Sequence, residues 1–231
     1  MKPMTRTTTM LSSVVLMALA CAVLEAQLPE GYVLNDALKA QFTLALPAGW
    51  MASDQGQRMR QLGVRIPEGF GLVYFSSVNV AEAFGPFEKG QEEQGQKSLD
   101  VLRQINTGEL PSFFVDRHRA EKGMSCHSLT AKGSQKVFAM IKDSDFGKGT
   151  TTLEPLRMDS TTIGGCQGAR YRGRVQGRNG PEWVIDVQAV SDGSVLYLFS
   201  LRNRAENFAK NFPVYQTAMS TLRLSVADSA R

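Results

Sequence analysis

The residues that could do chemistry are few: three cysteines (Cys21, Cys126, Cys166), two histidines (His118, His127), and a handful of charged clusters. Gly164-Gly165-Cys166-Gln167-Gly168 matches G-x-C-x-G, a cysteine form of the nucleophile elbow. That elbow needs a strand before it and a helix directly after it. Ala169 to Val175 alternates like a strand, so the required helix is missing. Cys126 and His127 are adjacent, and neighbours in extended chain point opposite ways, which keeps them from forming a thiolate–imidazolium pair. Cys126 with His118 is sterically open through the fold, but no sequence feature supports it. The histidines lack an i, i+4 spacing, and no carboxylate arrangement completes a zinc site. Asp143, Asp145 and Glu154 fall at positions 1, 3 and 12 of a calcium loop, yet Gly147 and Lys148 occupy positions 5 and 6, where an oxygen ligand and a glycine belong. Gly147-Lys148-Gly149 has no Ser or Thr directly after the lysine, as a phosphate loop requires. The sequence therefore predicts no catalytic residue, no metal site and no cofactor.

One charged feature stands out. Arg170, Arg172 and Arg174 recur at spacing two, which places three guanidinium groups on one face of a strand. Arginine suits bidentate capture of phosphate or carboxylate, so one reading is an anionic partner, either an acidic protein face or lipid head groups. The other is a solvated sheet face balanced by neighbours such as Asp186. The whole chain, with 26 Lys+Arg against 22 Asp+Glu, is too mildly basic to argue nucleic-acid binding.

The cysteines sort by compartment. Lys2 and Arg6, an apolar run from Met10 to Leu24 and the small residue Ala26 predict a signal peptide over residues 1–26. The apolar run is shorter than the roughly 20 residues of a membrane span. Leu19-Ala20-Cys21 also resembles the end of a lipoprotein box, so lipid anchoring through Cys21 is the alternative to soluble export. Either route leaves only Cys126 and Cys166, and an even pair in an exported protein reads first as a disulfide. The bridge would close a loop of 41 residues.

These residues need elements to hold them. Gln41 to Pro47 alternates as a strand and stops at Pro47-Ala48-Gly49, with Trp50 covering the end of the core; Gly71 to Val80 is a second strand candidate. Gly63 to Ile66 could pair nearby. Ala81 to Gln94 reads as a surface loop, and Gln94 to Asn106 as a helix ending at Gly108. Ser112 to Glu121 and Ser128 to Lys142 are further helix candidates. Ala169–Gln176, Glu182–Val190 and Val195–Leu201 form an antiparallel meander, with Asn179-Gly180 and Asp192-Gly193 as hairpin turns. After Asn203, read as an N-cap, Phe208, Phe212, Tyr215, Met219 and Leu222 form the stripe of an amphipathic helix, which Pro213 kinks or restarts. The predicted class is α+β, one domain over residues 27–224 with an antiparallel sheet flanked by helices, and residues 225–231 as a flexible tail.

This order of elements resembles the PsbP/DcrB-like superfamily, an α/β/α sandwich of photosystem extrinsic proteins, envelope lipoproteins and a Ran-binding nuclear transport factor. The resemblance rests on LALPAGW (Leu44 to Trp50), IGGCQGARYRGRV (Ile163 to Val175), DGSVLYLFSLRN (Asp192 to Asn203) and Thr221-Leu222-Arg223-Leu224. It implies the fold and transfers no catalytic residue; known members mostly bind or assist other proteins. The expected function is that of an exported, non-enzymatic protein, periplasmic or secreted, that binds or assists another envelope component. The alternatives are an envelope hydrolase or thiol enzyme using Cys126 or Cys166, and a lipid or small-molecule carrier.

Overall fold

The computed structural model describes residues 28–38, 41–67, 69–83, 92–145, 150–177 and 180–225. The expected signal peptide with Cys21, Asn179 of one expected turn, and residues 226–231 of the expected tail lie outside the described residues.

In chain order the first elements are β1 (Tyr32–Asn35), β2 (Phe42–Pro47), β3 (Met51–Asp54), α1 (Gln55–Gln61), β4 (Gly71–Ser76) and a short 3₁₀ turn at Val80–Ala83. They are followed by α2 (Glu92–Thr107), β5 (Ser112–Arg119), β6 (Met124–Ser125), β7 (Ser128–Leu129) and α3 (Ala131–Asp145). The chain continues through β8 (Thr150–Ile163), β9 (Cys166–Gly177), β10 (Glu182–Ser191), β11 (Val195–Arg204), α4 (Ala205–Thr221) and β12 (Arg223–Leu224). Seven strands form one antiparallel sheet in the order β3-β4-β5-β11-β10-β9-β8, and β1-β2-β12 form a smaller sheet. The architecture is α+β, as the sequence pattern predicts.

Period-two alternation gives the large sheet two buried faces. On one, Phe75, Phe113, Val115, Tyr197 and Phe199 meet Phe42, Leu44 and Leu46 of β2 and Tyr215, Met219 and Leu222 of α4. On the other, Tyr171, Val175, Ile185, Val187 and Leu198 pack under Val137 and Ile141 of α3. The α4 stripe is core, and the helix runs continuously with Pro213 inside it. Trp50 lies against Phe113, with ring centroids 6.3 Å apart.

Several expectations need correction. Ser112 to Glu121 is not a helix: Phe113, Val115 and Arg117 alternate inward, and β5 sits between β4 and β11. The third helix begins at Ala131 rather than Ser128, because Ser128–Leu129 pair back onto β6, and Thr130 Oγ1 accepts from Gly133 N at 3.2 Å at the helix start. Asn203 is not a cap. The cap position is Arg204, without a side-chain hydrogen bond, and Asn203 is buried, its Oδ1 accepting from Asn211 Nδ2 at 2.9 Å. The second strand candidate ends at Ser76, and Gly63–Ile66 is not a strand. Gly108 does follow α2 at φ 78°, packed against Asn203 where a Cβ would not fit.

Candidate functional site

Gly164 (φ 60°) and Gly165 (φ 86°) are the two-residue loop of a hairpin in which Ile163 pairs with Cys166. Two successive positive φ values are what such a tight loop demands, so these glycines serve a turn between strands β8 and β9. The G-x-C-x-G string thus has a strand on both sides. Cys166, fully buried at the start of β9, is joined by a disulfide to Cys126 in the β6–β7 turn. Gln167 N also donates to Cys126 O at 2.8 Å. Both sulfurs are consumed, and neither is a thiolate. His127, beside Cys126, is exposed. His118 instead meets Asp116, Nε2 to Oδ2 2.9 Å, two residues away on the same face of β5. Among the described residues no three His, Cys, Asp or Glu side chains come together as metal ligands, and no helix is long and apolar enough to cross a membrane. Residues 146–149, with Gly147 and Lys148, lie outside the described residues.

The three arginines do share one face of β9, the face that α4 covers. Arg170 sends Nε to Asp186 Oδ1 and Oδ2 at 3.1 and 3.0 Å, and Nη2 to Oδ2 at 2.6 Å. Arg172 Nε reaches the same Oδ2 at 2.6 Å. Asp186 is wholly buried. Its hydrogen bonds to Arg170 raise the Arg170 pKa still further above the ordinary arginine value. Arg174 pairs with Glu182, the next acid along β10.

The outer side of this layer is aromatic. The Arg172 guanidinium lies 4.6 Å from the Phe212 ring centre and 5.5 Å from that of Phe208, and Arg170 lies 5.5 Å from Phe212. Arg172 Nη2, buried without a hydrogen bond, belongs to that ring-facing group. Helix α4 therefore rests partly on guanidinium groups that an aspartate holds from below. Across β8, Asp159, Arg157 and Glu154 stand opposite Arg170, Arg172 and Arg174. This face thus carries four arginines (with Arg157) and four carboxylates (with Asp186 and Glu182), and their charges cancel. Beside it, Thr162, Arg170, Gln188 and Gln216 line an open polar groove of about 430 Å³.

Sequence reasoning missed Arg117. Its side chain is 1% exposed and sends Nη2 to Asp54 Oδ2 at 3.0 Å, Nη1 to Gln41 Oε1 at 3.2 Å and Nε to Gly71 O at 3.2 Å. The other Asp54 oxygen caps α1 through Gln57 N at 3.0 Å. The signal for it was period two: Phe113, Val115 and Arg117 share a face once Ser112–Arg119 is read as a strand.

No protein family's sequence pattern matches the chain, and no curated protein does. In fold the chain is similar to the solution structure of cyanobacterial PsbP (CyanoP) from Synechocystis sp. PCC 6803, with a TM-score of 0.47 and 12% identity over 85% of this chain and 94% of that one. It is also similar to a crystal structure from Bacteroides thetaiotaomicron VPI-5482, with a TM-score of 0.38 and 11% identity over 80% of this chain and 45% of that one.

Proposed function

We propose that the chain is an exported, non-enzymatic protein that binds or assists another component of the cell envelope. The observation that carries this reading is the Cys126–Cys166 disulfide. Structural bridges form and persist in oxidising compartments, and this one removes both thiols that a cysteine enzyme would use. The arginine row is the weaker candidate for the contact surface, since its charges are met within the fold.

The test is envelope fractionation with thiol labelling before and after reduction, followed by site-specific photocrosslinking from exposed positions. An oxidised chain in the envelope fraction with a discrete crosslinked partner is expected. A cytoplasmic chain with two free thiols overturns the export half. A turnover activity that disappears in Cys166→Ser overturns the non-enzymatic half and favours the thiol-enzyme reading. Reversing the charge of all three arginines is expected to leave the partner bound if the fold survives; loss of the partner in a folded variant makes the row the contact. Native mass spectrometry of the isolated chain addresses the carrier alternative, which predicts a retained ligand.

A further inference from the structure

Helix α1 follows β3, the edge strand of the large sheet, and the turn at its end gathers one sign of charge. Residues 55–67 carry three arginines, Arg58, Arg60 and Arg65, and no lysine, aspartate or glutamate. Asp54 and Glu68 bound this run in sequence. The helix closes in a Schellman motif. Gly63, at φ 81°, donates its N–H to Arg60 O at 3.0 Å, and Val64 N donates to Met59 O at 3.0 Å. Arg60 Nη1 donates to Pro67 O at 3.1 Å and ties the loop shut. The root is fixed as well. Asp54 caps α1 and is held by the buried Arg117, and a Cβ at Gly56 would meet Phe70 O at 2.5 Å, so α1 lies close against the chain entering β4. The turn is thus presented in one shape, which lowers the cost of ordering it against a partner.

What it presents is apolar as well as basic. Residues 61–65 are exposed without interruption, and Leu62 and Val64 among them are 37% and 42% exposed. A Schellman turn commonly rests the residue at the Val64 position on the one at the Met59 position, but it gives Leu62 no such role. Arg58 and Arg60 in the last turn suit the negative end of the helix; Arg65 lies beyond it. Among the described residues no carboxylate forms an ion pair with any of the three arginines. Asp54 is turned to Arg117, and Glu82, which shares a groove with Arg58, accepts from Asn79 Nδ2 at 2.8 Å. The arginines of β9, by contrast, have their charges met within the fold. Cations flanking exposed apolar side chains match an anionic bilayer, where guanidinium groups meet phosphates and apolar side chains enter the headgroup boundary.

We propose that the turn after α1 docks on an anionic phospholipid surface, with Arg60 and Arg65 at the phosphates and Leu62 and Val64 among the headgroups. Arg58, half-buried in the neighbouring groove, adds its charge. The physiological use of this contact rests on the export reading, whereas vesicle binding does not, so either can fail and leave the other standing. Few cations and two modest apolar side chains make the attachment weak and reversible.

The chain from Gln27, which contains every described element, is tested by co-sedimentation with phosphatidylglycerol–phosphatidylcholine vesicles against phosphatidylcholine alone. Binding is expected to the anionic vesicles only, and to weaken as salt is raised. Arg65→Gln is expected to weaken it about fivefold, the worth of one cation at such a surface. Leu62→Ser with Val64→Ser is expected to weaken it about tenfold or more. All three positions are exposed, so these variants should keep the fold, which circular dichroism and the intact disulfide verify. Arg157→Gln, the same charge change at an exposed position of β8, is expected to bind as the unchanged chain does. Leu62→Trp is expected to gain blue-shifted emission on anionic vesicles, quenched by brominated lipid. The proposal is overturned by no preference for anionic vesicles, by equal losses in Arg65→Gln and Arg157→Gln, or by binding indifferent to the Leu62 and Val64 changes. Polyglutamate that displaces the vesicles and binds the double-serine variant undiminished assigns the turn to an acidic protein face and overturns the membrane reading.

Discussion

The layer of arginines beneath α4 makes a prediction in which one substitution changes sign with its background. Changing Arg170 and Arg172 together to Met keeps their apolar stems but strips Asp186 of all four of its hydrogen bonds from arginine. Asp186 is 0% exposed, so the carboxylate is left buried and unpaired, at about 3–5 kcal/mol. The three guanidinium–ring contacts add about 0.5–1 kcal/mol each. Asp186→Asn in the otherwise unchanged chain forfeits charged hydrogen bonds, about 1.5–3 kcal/mol, but leaves guanidiniums that are 31% and 40% exposed and can turn to water. In the double-Met background the same Asp186→Asn removes a stranded charge and should restore about 2–3 kcal/mol. The assay is urea unfolding followed by circular dichroism, with the disulfide intact and the slope of the transition monitored for constancy. If the double variant is too unstable to measure, Arg170→Met alone, with Arg172 Nε still bonded, should lose less stability, and Asp186→Asn should cost less in that background than in the unchanged chain. A triple variant no more stable than the double one would refute the reasoning, because the carboxylate would then be solvated rather than buried.

Three other outcomes are expected. Cys126→Ser with Cys166→Ser should lower stability by about 4 kcal/mol on the chain-entropy account, for a bridge spanning 40 residues, and should lower Tm by about 10 °C; calorimetry checks it. Burial raises the Tyr171 phenol to about 12, and raises Tyr74, Tyr197 and Tyr215 as well. The unfolded chain ionises these phenols first, so stability is intact below about pH 10 and falls above it; Tyr171→Phe should flatten the decline between pH 10 and 12 by about 1.4 kcal/mol per pH unit, read by urea titrations across that range. Asp54→Ala should cost about 3–5 kcal/mol, because it leaves the buried Arg117 guanidinium without its anion. A loss of only about 1 kcal/mol would mean that the α1 cap alone was disturbed.

The parts of the fold legible in the sequence were those whose pattern is local. The β9–β10–β11 meander shows in strict alternation, and the α4 stripe shows in spacings of three and four. The disulfide was legible because compartment and cysteine parity constrain it without any geometry. Ser112–Arg119 was misread because Arg117, His118 and Arg119 hide the alternation of Phe113 and Val115; the groups that meet the buried Arg117, the Asp54 carboxylate and the carbonyls of Phe70 and Gly71, are distant in sequence. Strand β8 went unseen, since Pro155 and register shifts between Thr152, Glu154 and Arg157 break its period. The arginine row was found, but its partners on α4, Phe208 and Phe212, lie more than thirty residues away and could not be assigned from spacing.

The disulfide has a topological consequence. Helix α3 and strand β8 lie wholly between Cys126 and Cys166, so the covalent chain there is a ring with two tails. A protease that cuts the backbone once inside that ring opens it without dividing the molecule. The nicked protein migrates near full size on a non-reducing gel and separates into two pieces only after reduction. In an oxidising, protease-bearing compartment the bridge thus keeps β5 and β9, on opposite sides of the ring, in one molecule even after the segment between them has been cut.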